Sequence, residues 1–397
     1  MVKCDIVSIE LFKVLLEETA MTKPSPIKYL ISIILSCLIC MLTFPGCIGA
    51  GAPAARTVGI AMPTKNLERF VRDGEFLKTQ FEAAGYNVEI RYSNDDSGQQ
   101  NNDVEYMIAD RVDLLIICAV DGVTLSQTLK TAEEYGIPVV AYDRLIMNSS
   151  AVDCYISFDN YTVGKLQGEF MAKALGLGER NDPARLEFIA GDPADNNAPY
   201  FFRGAYDALE PYLDSGKCKV LSGKTAFTQC ATQDWSTDKA YENMQNLLAS
   251  YYVGGESLDG VLCSNDSVAL GVSRAIDSDY NGKAPVITGQ DGDIINLRNI
   301  VDGRQTMTVF KNVNDEAEAA LEVSKAILQG ETIGSNLLSV IDTSAAFDDT
   351  SYYNGKKYVS SFLLDPTVIT KDNLDELVDT GMYRWDNDHR YLVAQDR

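Results

Sequence analysis

Asp143, Arg144, Asn265, Asp266, Asp291 and Lys311 each fall within three residues of the end of a short apolar run. Where such runs are parallel strands of an open sheet, ligands sit just beyond their carboxyl ends. The set mixes carboxylates, cations and an amide. Hydrogen bonds to charged groups contribute about 1.5–3 kcal/mol each, more than neutral ones. Donors and acceptors held at fixed angles suit a ring of hydroxyls, and a flat indole such as that of Trp235 suits its C–H patches. The chemistry implied is recognition of a small polyol.

Other chemistries fit poorly. His389 is the single histidine and stands near the end of the chain, whereas serine–histidine–acid catalysis and histidine-rich metal sites need a well-placed imidazole. The residues therefore predict binding without a chemical step, and no cofactor. Ser222-Gly223-Lys224-Thr225 resembles the end of a phosphate loop, but Cys218 stands where that loop needs glycine. Gly176 and Gly178 lack a third glycine, since Asn181 occupies its place, and they follow a helical pattern. Asp192 and Asp195 show no calcium-loop spacing. With 57 acidic against 34 basic residues, the net charge of -23 repels phosphate backbones and excludes nucleic acid as a partner.

The elements that must position these residues are legible as alternating patterns. Thr57 to Met62 reads as a buried strand, and Asn66 as the cap of a helix over Leu67 to Ala84 that Gly85 stops. Strands follow at Asn87 to Tyr92, Val112 to Val120, Val139 to Tyr142 and Cys154 to Phe158, with helices at Gln100 to Asp110 and Thr124 to Tyr135 between them. The rhythm restarts with helices at Val163 to Leu175, Phe201 to Leu213, Thr237 to Tyr251, Val268 to Ile276 and Asp315 to Leu328. They alternate with strands at Leu186 to Ala190, Lys219 to Ser222, Gly260 to Ser264, Val286 to Thr288 and Thr306 to Phe310. Repeated βα units imply parallel sheets covered on both faces, and two such runs in 397 residues imply two lobes.

Several short motifs carry a resemblance. Leu67-Glu68-Arg69-Phe70, Ala141-Tyr142-Asp143-Arg144-Leu145-Ile146 and Tyr155-Ile156-Ser157-Phe158-Asp159-Asn160 occur in that order. Asp195-Asn196-Asn197-Ala198, Ser264-Asn265-Asp266, Gly289-Gln290-Asp291 and Thr306-Met307-Thr308-Val309-Phe310-Lys311 follow. From about Thr57 to Tyr383 the chain resembles the periplasmic D-xylose-binding and multiple-monosaccharide-binding proteins of ABC transporters. The resemblance implies the type I periplasmic binding protein fold: α/β, two doubly wound parallel-sheet lobes joined by a three-strand hinge. It implies crossings near Phe158-Asn160, Lys311-Val313 and Tyr358-Phe362. Lobe one then holds residues 57–157 with 312–357, and lobe two holds 158–311 with 358–397.

The resemblance also implies roles. Arg69 donates to ring or anomeric oxygens, and Phe70 stacks on the sugar where relatives usually have Trp. Asp143 and Arg144 surround adjacent hydroxyls, Asn197 binds from the second lobe, and Asn265, Asp291 and Lys311 complete the ring. Trp235 forms the second aromatic face or packs in the core. Lys65 is either a further ligand contact or a solvated surface residue, and Asp266 either caps the next helix or touches ligand. The implied partners are a monosaccharide of the xylose, glucose, galactose or arabinose type, an ABC transporter permease, and a chemoreceptor or sensor kinase. A nucleoside or signalling furanose is the alternative ligand. The effector core of lactose-repressor-type regulators shares this fold, but a signal segment and the lack of a helix-turn-helix argue against that role.

That signal segment spans residues 1–47. Lys23 and Lys28 precede the apolar run Tyr29 to Phe44, which ends at Pro45-Gly46-Cys47. The pattern resembles a bacterial lipoprotein signal with Cys47 acylated, which makes the lipid anchor the chain's link to the membrane; cleavage around Ala50 to Ala55 is the alternative. Met21 reads as a better start than Met1. Five cysteines follow Cys47. The odd count leaves at least one free thiol or an intermolecular partner; Cys218 and Cys230, closest in sequence, are the first candidates for a disulfide, while Cys118 and Cys263 read as small core residues.

Overall fold

A computed structural model describes residues 55–395. Cys47, Met21 and the signal segment of residues 1–47 lie outside the described residues.

The inner strands of the first sheet are runs apolar at nearly every position, because helices cover both of its faces, while the edge strand Asn87–Tyr92 alternates polar and apolar residues. Its early strands are β1 (Thr57–Met62), β2 (Asn87–Tyr92), β3 (Leu114–Ile117), β4 (Val139–Tyr142) and β5 (Val152–Phe158). Two late strands, β11 (Ala346–Asp348) and β12 (Ser361–Leu364), complete the order β11-β12-β5-β4-β3-β1-β2. All neighbours are parallel except β11 and β12. Helices α1 (Glu68–Ala83) and α10 (Val313–Gln329) cover one face, where Leu77, Phe81 and Ala320 pack with Val58, Ile60 and Tyr142. Helices α2 (Ser97–Ala109) and α3 (Ser126–Glu134) cover the other, where Met107 and Leu129 pack with Leu115 and Ala141.

The second sheet repeats the plan. Strands β6 (Ala184–Ile189), β7 (Cys218–Val220), β8 (Gly260–Cys263) and β9 (Val286–Ile287) lie in the order β7-β6-β8-β9, all parallel. A parallel bridge between Gln290 and Val309 adds β10 (Met307–Phe310), which pairs antiparallel with β13 (Thr367–Thr370). Helices α4 (Asn160–Ala174) and α5 (Ala198–Asp214) lie on one face, and α7 (Thr237–Tyr251) and α8 (Asp266–Asp279) on the other. The short α6 (Phe227–Cys230), α9 (Ile294–Asp302) and α11 (Asp375–Asp379), two 3-10 turns at Gln233–Trp235 and Ser335–Ser339, and the antiparallel hairpin of β14 (Tyr383–Trp385) and β15 (Leu392–Ala394) complete the described elements.

Several expectations are corrected. The third crossing falls after Leu364, beyond Tyr358-Phe362: β12 is still paired with β5 through Ser361–Leu364, and Phe362 is buried in the first core. Residues 358–364 thus belong with the first sheet and not with lobe two. Asn66 does not cap α1; Leu67 stands at that position without a side-chain cap, and the Asn66 backbone N–H donates to Thr64 Oγ1. Cys218 and Cys230 are both free, like Cys118, Cys154 and Cys263. They belong to one hydrophobic cluster without being bonded, and the Cys230 thiol donates to the Lys224 carbonyl instead.

The helix pair α4–α5 fixes how the second lobe presents residue 197. A methyl group at Gly164 would overlap the Phe201 carbonyl, and one at Gly204 would overlap the Tyr161 carbonyl, so the backbones touch where glycine stands. Neither obstacle is a flexible side chain. Gly204→Ala is expected to destabilise the chain by about 1–3 kcal/mol in denaturant unfolding, the usual effect of overpacking; an unchanged midpoint would show that the helices are not in contact there.

Candidate functional site

Each sequence-predicted ligand residue except Lys65 and Asp266 reaches one cavity between the two lobes, with a volume of about 420 Å³ including its mouth. The elements explain why. Arg69 and Phe70 occupy the first turn of α1, directly after β1, and Asp143 and Arg144 follow β4. From the second lobe, Asn197 precedes α5, Asn265 caps α8 after β8, and Asp291 follows β9. Lys311 ends β10 at the crossing into α10. All therefore lie at carboxyl ends of parallel strands.

The electrostatic centre is Arg69, which is 5% exposed. Its guanidinium lies 2.6 Å from Asp143, 2.8 Å from Glu316, 3.3 Å from Asp73 and 3.5 Å from Asp291. Lys311 Nζ lies 3.5 Å from Asp143 and 3.3 Å from Asp291, so these two carboxylates are shared by both cations. Arg144 forms a second pair across the lobes, its Nε 3.3 Å from Asp195, and donates to the carbonyls of Ala119 and Val120 at 2.9 and 3.2 Å.

Asp143 and Asp291 share an uncommon backbone. Their φ angles are +57° and +104°, a region in which non-glycine residues persist only when their surroundings hold them. The Asp143 carbonyl accepts from Ser157 Oγ at 3.0 Å, from the Tyr155 hydroxyl at 2.8 Å and from Asn197 Nδ2, while its N–H donates to the Ile156 carbonyl at 2.8 Å. Asn197 thus braces the opposite lobe as well as lining the cavity. Asp291 is held through its N–H, which donates to the Val309 carbonyl at 3.0 Å.

The aromatic faces come from both lobes. Trp235 is buried, with φ +52° after Asp234 at φ +59°, and its ring packs edge-on to Phe201 with centroids 6.3 Å apart. A methyl at Gly191 would overlap the indole, so that glycine is the seat of Trp235. Phe70 lines the cavity and also carries the Arg144 guanidinium, 5.0 Å from its ring centroid.

Two sequence candidates do not reach the cavity. Lys65 is exposed, with Nζ 4.6 Å from the centroid of the Tyr92 ring, because the chain turns outward between β1 and α1. Asp266 neither caps α8 nor lines the cavity. It is fully buried, and its carboxylate accepts from the Asp293 N–H at 2.9 Å and from Gln305 Nε2 at 2.8 Å. The cap is Asn265, whose Oδ1 accepts from the Val268 N–H at 2.9 Å. Sequence reasoning missed Leu67, Asp195, Phe201, Ser267, Gln290 and Asp293 among the lining residues, and Glu316 behind them. Phe201 was within reach of pattern reading, since it stands one helical turn after Asn197.

Protonation follows from burial set against the pull of neighbouring charges. Burial works to raise the Asp143 carboxyl, but Arg69, Lys311 and Arg144 outweigh it and hold the group down at about 2. Behind it, burial outweighs the attraction of Arg69 and pushes Asp73 up to about 6. Burial likewise pushes Glu316 well above the usual range and, against the pull of Arg72, Asp293 up to about 7. Asp73 and Asp293, ordinary near 3.8 when unfolded, therefore keep protons in the folded chain that the unfolded chain releases. The stability they contribute is present below about pH 4 and is lost as pH rises through 6 to 7. Asp143 acts oppositely, its contribution being lost as pH falls from about 4 towards 2. Calorimetric melting is expected to rise as pH is lowered from 8 to 5 and to drop below about pH 3. Asp73→Asn with Asp293→Asn should flatten the upper limb, and an upper limb that keeps its slope in that double variant would refute the assignment.

Known proteins resemble this chain over most of its length. Residues 58–332 match the family described as periplasmic binding protein domain. The multiple sugar-binding periplasmic protein SbpA of Azospirillum brasilense is 39% identical, over 82% of this chain and 89% of its own. The D-xylose-binding periplasmic protein of Escherichia coli is 32% identical, over 82% of this chain and 91% of its own. A solved ABC transporter solute-binding protein from Clostridium phytofermentans, with bound β-D-glucose, superposes with a TM-score of 0.78 at 42% identity, covering 84% of this chain and 99% of its own.

Proposed function

The chain belongs to the periplasmic binding protein domain family, and from that premise we propose that it binds one monosaccharide between its lobes and delivers it to an ABC transporter permease. The observation that carries this reading is the convergence, in one buried cavity, of charged and amide side chains from both lobes beside aromatic rings. Asp143, Asp291, Arg69, Lys311, Arg144 and Asn197 supply acceptors and donors at fixed positions. Asn265, its oxygen committed to Val268, supplies amide hydrogens. Trp235 and Phe70 supply flat faces for C–H patches of the ring.

The ligand class is a neutral aldose of glucose or xylose type, in line with what the relatives are named for or hold. The mechanism has no chemical step. Sugar hydroxyls replace water around side chains whose positions ion pairs already fix, so little reorganisation accompanies binding. Both lobes contribute partners, so closure and occupancy reinforce each other. A sugar lacking one of the bound hydroxyls would leave a buried charged group unpaired and should be rejected sharply. Cys47, after its basic and apolar leader, is the proposed lipid anchor outside the cytoplasmic membrane.

Titration calorimetry with a panel of pentoses and hexoses tests the reading, and no heat with any of them would end it. Asp143→Ala should weaken binding by about a hundredfold, the equivalent of a hydrogen bond to a charged group. It should melt within a few degrees of the parent, because three other carboxylates still face Arg69.

A further inference from the structure

Arg72 stands three residues beyond Arg69 on α1, yet it does not line the cavity. Its guanidinium crosses from the first lobe to the second outside the proposed sugar site. Nη1 donates to the Tyr383 hydroxyl at 3.3 Å, and Nη2 donates to the Asp291 carbonyl at 3.4 Å and lies 3.9 Å from Asp293 Oδ1. Glu68 on the same helix lies 3.3 Å from Nη1 and steadies it.

Tyr383 is the other half of this contact. It belongs to β14, in the C-terminal hairpin that lies beyond the residues matched by the family. The ring is buried, packing edge-on to Phe310 with centroids 6.0 Å apart, and the hydroxyl donates to the Gly292 carbonyl at 2.8 Å. Gly292, at φ +73°, follows Asp291, at φ +104°, in the turn that aims the Asp291 carboxylate at Arg69 and Lys311. One phenol therefore braces the strained turn from its own lobe and receives a cation from the opposite lobe.

We propose that Arg72 and Tyr383 form a clasp outside the sugar cavity, which fixes the Asp291–Gly292 turn and holds the lobes shut on a bound sugar. Both are positioning residues that act through Asp291 and touch no ligand. The proposal rests on the sugar-binding reading above. A clasp that exists only when the lobes are together slows release of the ligand. It changes affinity for every accepted sugar by the same factor, and it leaves the order of preference untouched.

The test uses the full chain with Tyr383→Phe, Arg72→Gln, Arg72→Lys and the double variant Arg72→Gln/Tyr383→Phe. D-Glucose and D-xylose are titrated calorimetrically, release is followed through the fluorescence of Trp235 in the cavity, and unliganded melting is recorded. Tyr383→Phe and Arg72→Gln should each weaken both sugars by about three- to tenfold, through faster release. The double variant should be little worse than either single one, Arg72→Lys should recover part of the loss, and unliganded melting should stay near the parent's. Unchanged release rates in Tyr383→Phe overturn the clasp, as does a reversed preference between the sugars, which would mark direct contact. A parent chain that binds neither sugar nor any other pentose or hexose overturns the sugar reading itself, and this proposal with it.

Discussion

The Arg69 guanidinium is surrounded by four carboxylates drawn from both halves of the molecule, with Lys311 sharing two of them. Buried charges persist only when paired and hydrogen-bonded, so the arrangement of the rest follows from satisfying this cluster. Asp143 and Asp291 face the cavity and are balanced by both cations. Asp73 and Glu316 sit behind Arg69 on α1 and α10, where burial keeps their proton affinity high. Four carboxylates against two cations would leave an uncompensated buried charge if all were ionised. Arg69 and Lys311 hold the Asp143 carboxyl down, so the strain falls on the rear pair, whose proton affinity burial raises.

The front pair depends in turn on backbone that resists its own conformation. Asp143 and Asp291 are both left-handed, and each is held from beyond its own strand. For Asp143 the grip is a carbonyl with three donors, one of them Asn197 from the second lobe. For Asp291 it is the bridge to β10, with the Arg72 contact on its carbonyl and the Tyr383 contact on the next residue. The two lobes repeat one strand order, and each places a strained aspartate after an inner strand. The cavity is thus made by convergence of two similar turns rather than by a single loop.

Much of this was legible in the sequence because parallel strands covered on both faces leave unbroken apolar runs. β1, β2, β4 and α7 run over the very residues their patterns indicate. Strand ends then nominated Asp143, Arg144, Asn265, Asp291 and Lys311 without any knowledge of tertiary contacts. What failed needed three dimensions. Lys65 and Asp266 also stand near strand ends, but the side a chain turns to after its strand is not encoded in the apolar pattern. Glu316 looked like an ordinary acidic residue in a helix's first turn; nothing in its neighbours reveals that Arg69, far away in sequence, comes to meet it. The C-terminal hairpin was unreadable because its strands are only three residues long and pair solely with each other.

Lys311 has a double position. It closes β10 in the second lobe, and Asn312, the very next residue, caps the helix that returns to the first lobe. A crossing between the lobes and a wall of the cavity are therefore one stretch of backbone. Torsion in that segment swings the ammonium, and immobilising the ammonium stiffens the segment. An exchange at residue 311 therefore alters two things at once, the charge that meets Asp143 and Asp291 and the backbone that leads into the Asn312 cap.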